Sequence, residues 1–316
     1  MEIKEGTTYE TTNRVLGLDK ISVDENGELV VGVNSDLSVI SNVLMPNTVL
    51  AAVSGEKGIG VDRINDLLSV YNGLEHAEVE KALNSIALMG VAGGAQTIAV
   101  NTADMIQDTL NLHGSKLASY DHEKAGPDLW IDVNGSFSKA NDYSVGIAKY
   151  GYKSDLTGVT IGGDYALGNG VAAGLAVSLG KGSVRGQGNG SGVKNDIDYY
   201  GINLYGVANT PFVNLIGTIG YLQSKNEIKQ MGFKGKPDAK TFSIGVRAEK
   251  PLALNDRITV TPHIGVKYVH TKLDSLSAGG LTYKADKANL VQVPFGVAFN
   301  ANLEAPCGAK VKPFID

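Results

Sequence analysis

Val159-Thr160-Ile161-Gly162-Gly163-Asp164-Tyr165-Ala166-Leu167 runs into Gly168-Asn169-Gly170 and then Val171-Ala172-Ala173-Gly174-Leu175-Ala176-Val177-Ser178-Leu179. Both runs alternate. Successive strand side chains point to opposite faces, so each run has one bulky apolar face and one small or polar face, and the Gly-Asn-Gly joint reads as a tight turn. The same period of two recurs over 129–138, 200–208, 213–221, 242–248, 258–268 and 291–299, which gives eight strands. A ninth begins at Ala309–Ile315.

The second face decides what kind of sheet this is. It carries Gly162, Gly174, Gly180, Gly201, Gly220, Gly265 and Gly296, mixed with Asp132, Asp164, Asn203, Arg247 and His263. Glycine weakens a strand and adds little to a watered surface. It makes room on the inside of a barrel. The large aliphatics are therefore placed outside, in lipid, and the Gly/Asp/Asn/Arg face in the lumen. Ten of the 13 tyrosines (143, 150, 152, 165, 199, 200, 205, 221, 268 and 283) fall in this part and are expected near strand ends as an interfacial girdle, with ordinary strand packing as the alternative. Short turns alternate with longer polar stretches, Lys181–Asn195 and Asp274–Lys287, expected as loops.

Composition narrows the classes further. Charged residues make up 19% of the 316 and the net charge is −5, which leaves no basic face for a nucleic-acid backbone. The single cysteine, Cys307, excludes a disulfide framework and a multi-cysteine metal site. The five histidines (76, 113, 122, 263, 270) fall in unrelated contexts, and Gly180-Lys181-Gly182-Ser183 has no helix after it to make a phosphate loop. No catalytic residue, cofactor or metal is expected. Residues 76–112 read as helix, from Val79, Ala82, Leu83, Ile86 and Met89 at three- and four-residue spacing. Gly90, Gly93 and Gly94 imply a break or a helix of little girth, and Gly114 is the expected stop. Lys20–Val33 reads as a hairpin turning at Glu25-Asn26-Gly27, and Val61–Leu74 as a possible helix.

In this order the parts resemble the autotransporter β-domain family. Leu129-Trp130-Ile131-Asp132-Val133-Asn134-Gly135 is similar to its opening strand. Gly151-Tyr152-Lys153-Ser154-Asp155-Leu156-Thr157-Gly158 through Asp164-Tyr165 is similar to its second strand, and Val293-Pro294-Phe295-Gly296-Val297 to a late one. The resemblance spans roughly residues 76–316 and implies an all-β fold, a transmembrane antiparallel β-barrel with an N-terminal α-helix in the lumen. The family's barrel has twelve strands, of which about eight to nine are present here. It implies three parts: residues 1–75 as the end of a passenger, 76–122 as a helical linker entering the pore, and 128–316 as a barrel ending before its last strands. With no signal segment at its start, the chain reads as a piece of a longer one. The implied role is a bacterial outer-membrane translocator that anchors the passenger and passes it to the cell surface. Its partners would be outer-membrane lipid, its own passenger and the barrel-assembly machinery, with no nucleic acid. Gln96, Asn101 and Asp104 on the helix, and Asp132, Asp164 and Arg247 in the lumen, are the expected helix–lumen contacts, with Gln107, Glu249 and Lys267 beside them. Some relatives cut themselves in this helix at an asparagine. Val100-Asn101-Thr102 stands at a comparable place, but Thr102 replaces the second asparagine of that site, and no self-cleavage is expected. A soluble eight-stranded ligand-binding barrel, or a passive porin, are the alternatives. The first requires bulky apolar residues inside, and the second does not account for a helix directly ahead of the first strand.

Overall fold

A computed structural model describes residues 19–23, 25–26, 29–33, 38, 42–53, 64, 66, 68, 76–118, 126–146, 148–255, 257–285, 287–301, 303–304, 310–311 and 313–315. Strands β1 (Asp19–Val23) and β2 (Leu29–Val33) pair antiparallel as the expected hairpin, although Gly27 of its turn lies outside the described residues. So do Cys307, His122 and all of Val61–Leu74 except Ile64, Asp66 and Leu68, which are helical. Helices α1 (Pro46–Val53), α2 (His76–Ala87), α3 (Met89–Ala92) and α4 (Ala95–Ala118) come before the main sheet.

The long strands are β3 (Gly126–Val145), β4 (Ala148–Gly168), β5 (Val171–Gly188), β6 (Lys194–Asn209) and β7 (Asn214–Gln230). After the short β8 (Phe233–Gly235) come β9 (Asp238–Glu249), β10 (Leu252–Ala253) and β11 (Ile258–Leu273). A small hairpin of β12 (Leu276–Ala278) and β13 (Leu281–Tyr283) leads to β14 (Ala288–Gln292) and β15 (Phe295–Ala301). The short β16 (Leu303–Glu304), β17 (Lys310–Val311) and β18 (Phe314–Ile315) end the described chain. The sheet order is β18-β15-β11-β9-β7-β6-β5-β4-β3, all pairs antiparallel and following chain order with only short strands between, and β14 continues the line of β15 against β11. Pro294, which has no N–H to give a ladder, separates β14 from β15, and its carbonyl accepts from the Gly265 N–H at 2.8 Å. Eight antiparallel positions, from β3 to β15, thus curl into part of a barrel, with β18 beside them as the start of a ninth. Among the described residues β3 pairs with β4 alone. β18 pairs with β15 through Phe299–Ile315 and Asn300–Phe314, where the ninth strand is expected.

The faces fall as the alternation requires. Gly163, Leu175, Leu204, Ile219 and Ile244 share one register row on the convex side, and Leu204 is 55% exposed there. The concave side buries Thr160, Asp164, Ser178, Asn203, Thr218 and Ser243. A soluble ligand-binding barrel needs the reverse polarity.

Two expectations are corrected. Lys181–Asn195 is not a loop: β5 runs to Gly188 and β6 starts at Lys194, so only a five-residue link remains. The ladder continues because the extended strands keep a buried inner face, with Val184, Val193 and Ile197 inward and Lys181 and Arg185 outward. The tyrosines do not form one girdle. Tyr165, Tyr200 and Tyr221 are exposed on the outside, whereas Tyr152, Tyr199 and Tyr205 are buried on the inside, where Tyr143 of the edge strand stacks on Tyr152.

Candidate functional site: the helix in the concave face

At 24 residues, α4 is the longest helix described, and among the described residues no single helix is both long and apolar enough to cross a membrane. It lies along the concave face, touching β3, β4, β6, β7, β9 and β11. Its run Met89–Ala118 is bent by 62° against α2. That bend falls at Leu88, and a separate interruption between α3 and α4 falls at the glycines: Gly94 takes a φ of +61°, which favours glycine, and a Cβ at Gly93 would stand 2.9 Å from the Ile228 side chain. The alternatives of a break and of small girth are both realised. Gly114 is not the stop. The helix passes through it to Ala118, and Gly114 serves a close approach of α4 to β7: a Cβ there would meet Ile216 at 2.8 Å.

Toward the short-turn end, His113 anchors the helix. Its Nε2 donates to Asp164 Oδ2 at 2.7 Å, and the same oxygen accepts from the Tyr205 hydroxyl at 2.9 Å. The Trp130 indole N–H donates to the Tyr205 oxygen at 2.6 Å, and the indole stacks on the imidazole with centroids 4.2 Å apart. The lumen glycines make this possible. A Cβ at Gly162 would lie 2.4 Å from the Trp130 indole, and one at Gly174 would lie 2.3 Å from the Tyr205 ring. The space they leave is filled by strand rings that reach the helix, more than by the helix itself.

Of the residues singled out from sequence, Asp104 meets Lys267 at 2.8 Å and accepts from Gln292 Nε2 at 3.4 Å. Gln107 donates to Thr218 at 3.1 Å. Glu249 accepts from Ser115 at 2.6 Å and pairs with Arg247 at 3.3 Å. Asp164 binds His113 as above. Asn101 and Asp132 face the same cavity of about 750 Å³, between the helix and the edges at β3 and β15, which Asp104 and Arg247 also line. Gln96 is half-buried one residue into α4. Against β9 and β11 the helix leaves a cavity of only about 50 Å³. One flank of α4 is therefore packed and the other open.

Sequence reasoning missed three members of the anchor: His113, Trp130 as a helix partner, and Tyr205. The available signal was the spacing of Gly162 and Gly174 beside Asp164, a local loss of bulk that some large ring had to fill.

A second site covers the other end of the strands. Val79, Leu83, Ile86 and Met89 of α2 and α3 form one core with Val49, Val193, Ile228, Phe233, Leu273 and Leu276. Polar contacts lock it. Asn84 Nδ2 donates to the Asn42 carbonyl at 2.7 Å and its Oδ1 accepts from the Leu44 N–H at 2.8 Å. Gln230 donates to Ser85, and Asn195 to the Gly93 carbonyl at 2.8 Å. The Tyr283 hydroxyl donates to the Ile86 carbonyl at 2.7 Å, and burial pushes its pKa up to about 12, so it stays a donor at neutral pH.

A curled antiparallel sheet with an apolar convex face and a helix along its polar concave face defines an outer-membrane-type barrel with an occupied lumen. A profile of the autotransporter β-domain matches residues 129–316, and the chain belongs to that family. Over 149 residues it is 28% identical to outer membrane protein A of Rickettsia rickettsii, a match covering 42% of this chain and 7% of the relative. The protein of the same name from Rickettsia conorii matches equally, so the chain corresponds to a small part of these relatives' length. In structure it is similar to the translocator domain of the autotransporter NalP from Neisseria meningitidis. The TM-score is 0.50 at 16% identity over 67% of this chain and 74% of that one, which speaks to the fold.

Proposed function

We propose that the chain anchors a passenger in the bacterial outer membrane and provides its route to the cell surface, with lipid and the passenger as its partners and the barrel-assembly machinery inserting it. The threading of α4 carries this reading. Its first residues lie with α1–α3 at the far ends of the strands, and its last lie at the short turns, where Asn209 Nδ2 donates to the Ala118 carbonyl at 3.1 Å before the chain enters β3. A segment ahead of α4 must then emerge where the strands are longest, the side on which outer-membrane barrels carry their surface parts. Residues 1–75 would be the end of the passenger, 76–122 the linker and 128–316 the barrel. Contacts of Asp104, Asp164 and Arg247 with their neighbours would retain the helix after passage, Gln96, Asn101 and Asp132 being the weaker members of the set. The test uses the full-length parent chain with an epitope ahead of residue 19. The epitope should be cleaved by protease added to intact cells, and removal of 95–118 should raise ion conductance in bilayer recordings. An epitope reached only after lysis would sink the reading.

The chain performs no chemistry on itself in this reading. Asn101 lies in the open cavity with Asp132, but full-length protein should run as one band on a denaturing gel, unchanged by Asn101→Ala. A cut between Asn101 and Thr102 that disappears in that variant would overturn this.

A further inference from the structure

Outside the sheet, beyond its apolar band, six cations stand in a single register row. Lys139 of β3 faces Lys153 of β4, Lys153 faces Arg185 of β5, and Arg185 faces Lys194 of β6. Lys194 in turn faces Lys229 of β7, and Lys229 faces Lys234 of β8. All lie on the outer, water-accessible side. Like charges directly opposite one another destabilise a sheet, so a row of six needs a source of negative charge. Outward-facing Asp155 and Asp196 stand two residues from Lys153 and Lys194, but the fold closes ion pairs with the row at one end only. Asp196 pairs with Lys229 at 3.2 Å, and Glu227 pairs with Lys229 and, at 2.9 Å, with Lys234. Among the described residues Lys139, Lys153, Arg185 and Lys194 take part in no ion pair. A second tier, Lys181, Lys225, Lys240 and Lys272, lies closer to the band, and Lys240 directly faces Lys272.

Height separates the tiers. Lys153, Arg185 and Lys194 are each six residues beyond the last apolar outward residue of their strand, Val159, Leu179 and Tyr200. That is about 20 Å along the strand, and about 15 Å above the apolar edge at a strand tilt of about 40°. A phospholipid headgroup layer is only about 5–8 Å deep on each side. The lower tier can reach phosphates at that depth by bending its alkyl stems down. The upper tier stands beyond them, and it spreads around the convex face over several strands, as a surrounding lipid layer would require.

We propose that Lys153, Arg185 and Lys194 bind phosphorylated sugar headgroups of a glycolipid in the leaflet at the long-strand end, whose anionic groups extend well above the hydrocarbon. This rests on the outer-membrane reading above. The test reconstitutes the full chain in phosphatidylcholine, phosphatidylglycerol or phosphatidylcholine doped with phosphorylated lipopolysaccharide. It compares K153Q/R185Q/K194Q with K250Q/R257Q, a control at the short-turn end. Retention of lipopolysaccharide through washing should fall about tenfold or more in the triple variant and stay unchanged in the control, with the loss reproduced in wild type by high salt. Phosphatidylglycerol retention should change less than twofold in the triple variant. Equal lipopolysaccharide retention by triple variant and wild type, both inserted in phosphatidylcholine, would overturn the proposal alone. So would an equal loss of phosphatidylglycerol and lipopolysaccharide. Failure of the wild type to insert in phosphatidylcholine would overturn the membrane reading and the proposal with it.

Discussion

The two halves of β7 have opposite polarity. From Leu215 to Tyr221 the bulky Leu215, Ile219 and Tyr221 point out, and Asn214, Thr218 and Gly220 point in with Ile216, which packs against α4. From Leu222 to Gln230 the outward residues are Gln223, Lys225, Glu227 and Lys229, while Leu222 and Ile228 point in. Strands β5 and β6 invert in the same way, past Leu179 and before Tyr200. No bulge marks the switch, since the pairing from Lys194–Lys229 to Asn209–Asn214 is unbroken. The backbone is the same on both sides of it; the solvent is not. In the proposed outer-membrane setting lipid surrounds the lower half, and α4 fills it with both polar contacts and an apolar core of Ile98, Met105, Ile106 and Leu110. Above, water surrounds the sheet and an apolar cap of α1–α3 fills it. A flip in the parity of the hydrophobic alternation, without a bulge, is how a strand records the edge of a membrane.

Ile228→Ala should cost about 2–5 kcal/mol within the upper core. Because that core is separate from the lipid band, the expected result is faster proteolysis and hydrogen exchange of residues 43–92, with membrane insertion unchanged. Loss of insertion would show that the two halves are one cooperative unit.

Leu175→Arg, in the middle row of the lower half, should cost about 2–4 kcal/mol and impair insertion, measured by urea titration of the chain in bilayers. Tolerance of that arginine would end the lipid assignment of the lower half.

His113→Ala should cost about 1.5–3 kcal/mol by removing a hydrogen bond to a carboxylate. It should raise the frequency of open events in bilayer recordings more than Leu112→Ala, a control on the open flank of α4, does. Equal traces would mean that the anchor does not hold the helix.

Ser183→Arg is the smallest effect and the sharpest contrast. It faces outward only four residues beyond Leu179, and arginine there should change stability by no more than about 0.5 kcal/mol. A penalty matching that at Leu175 would move the membrane edge past the parity flip. Lumen positions do not serve as controls. Gly162 lies under the Trp130 indole, and Ser178 is buried and hydrogen-bonded to Thr160 at 2.9 Å.

Strand alternation, the polarity of each face in the lower half and a helix ahead of β3 were all legible in the sequence. Each is a local periodicity, fixed by where successive side chains point. Asp164, Glu249 and Lys267 could also be placed on the lumen side, because strand parity alone puts them there, and Asp104 and Gln107 could be named as polar residues of the helix facing it. Their pairing could not be, and neither could the roles of His113 and Tyr205, whose partners lie 51 and 41 residues away at Asp164. Those depend on how far the sheet curls and how α4 is rotated within it. The strand extensions were misread as loops because lysine, glycine and serine on an outer face look the same in a solvated strand as in a turn. Only the curled sheet, which brings Val193, Ile228, Phe233 and Leu273 under the cap, supplies the burial that keeps those residues extended.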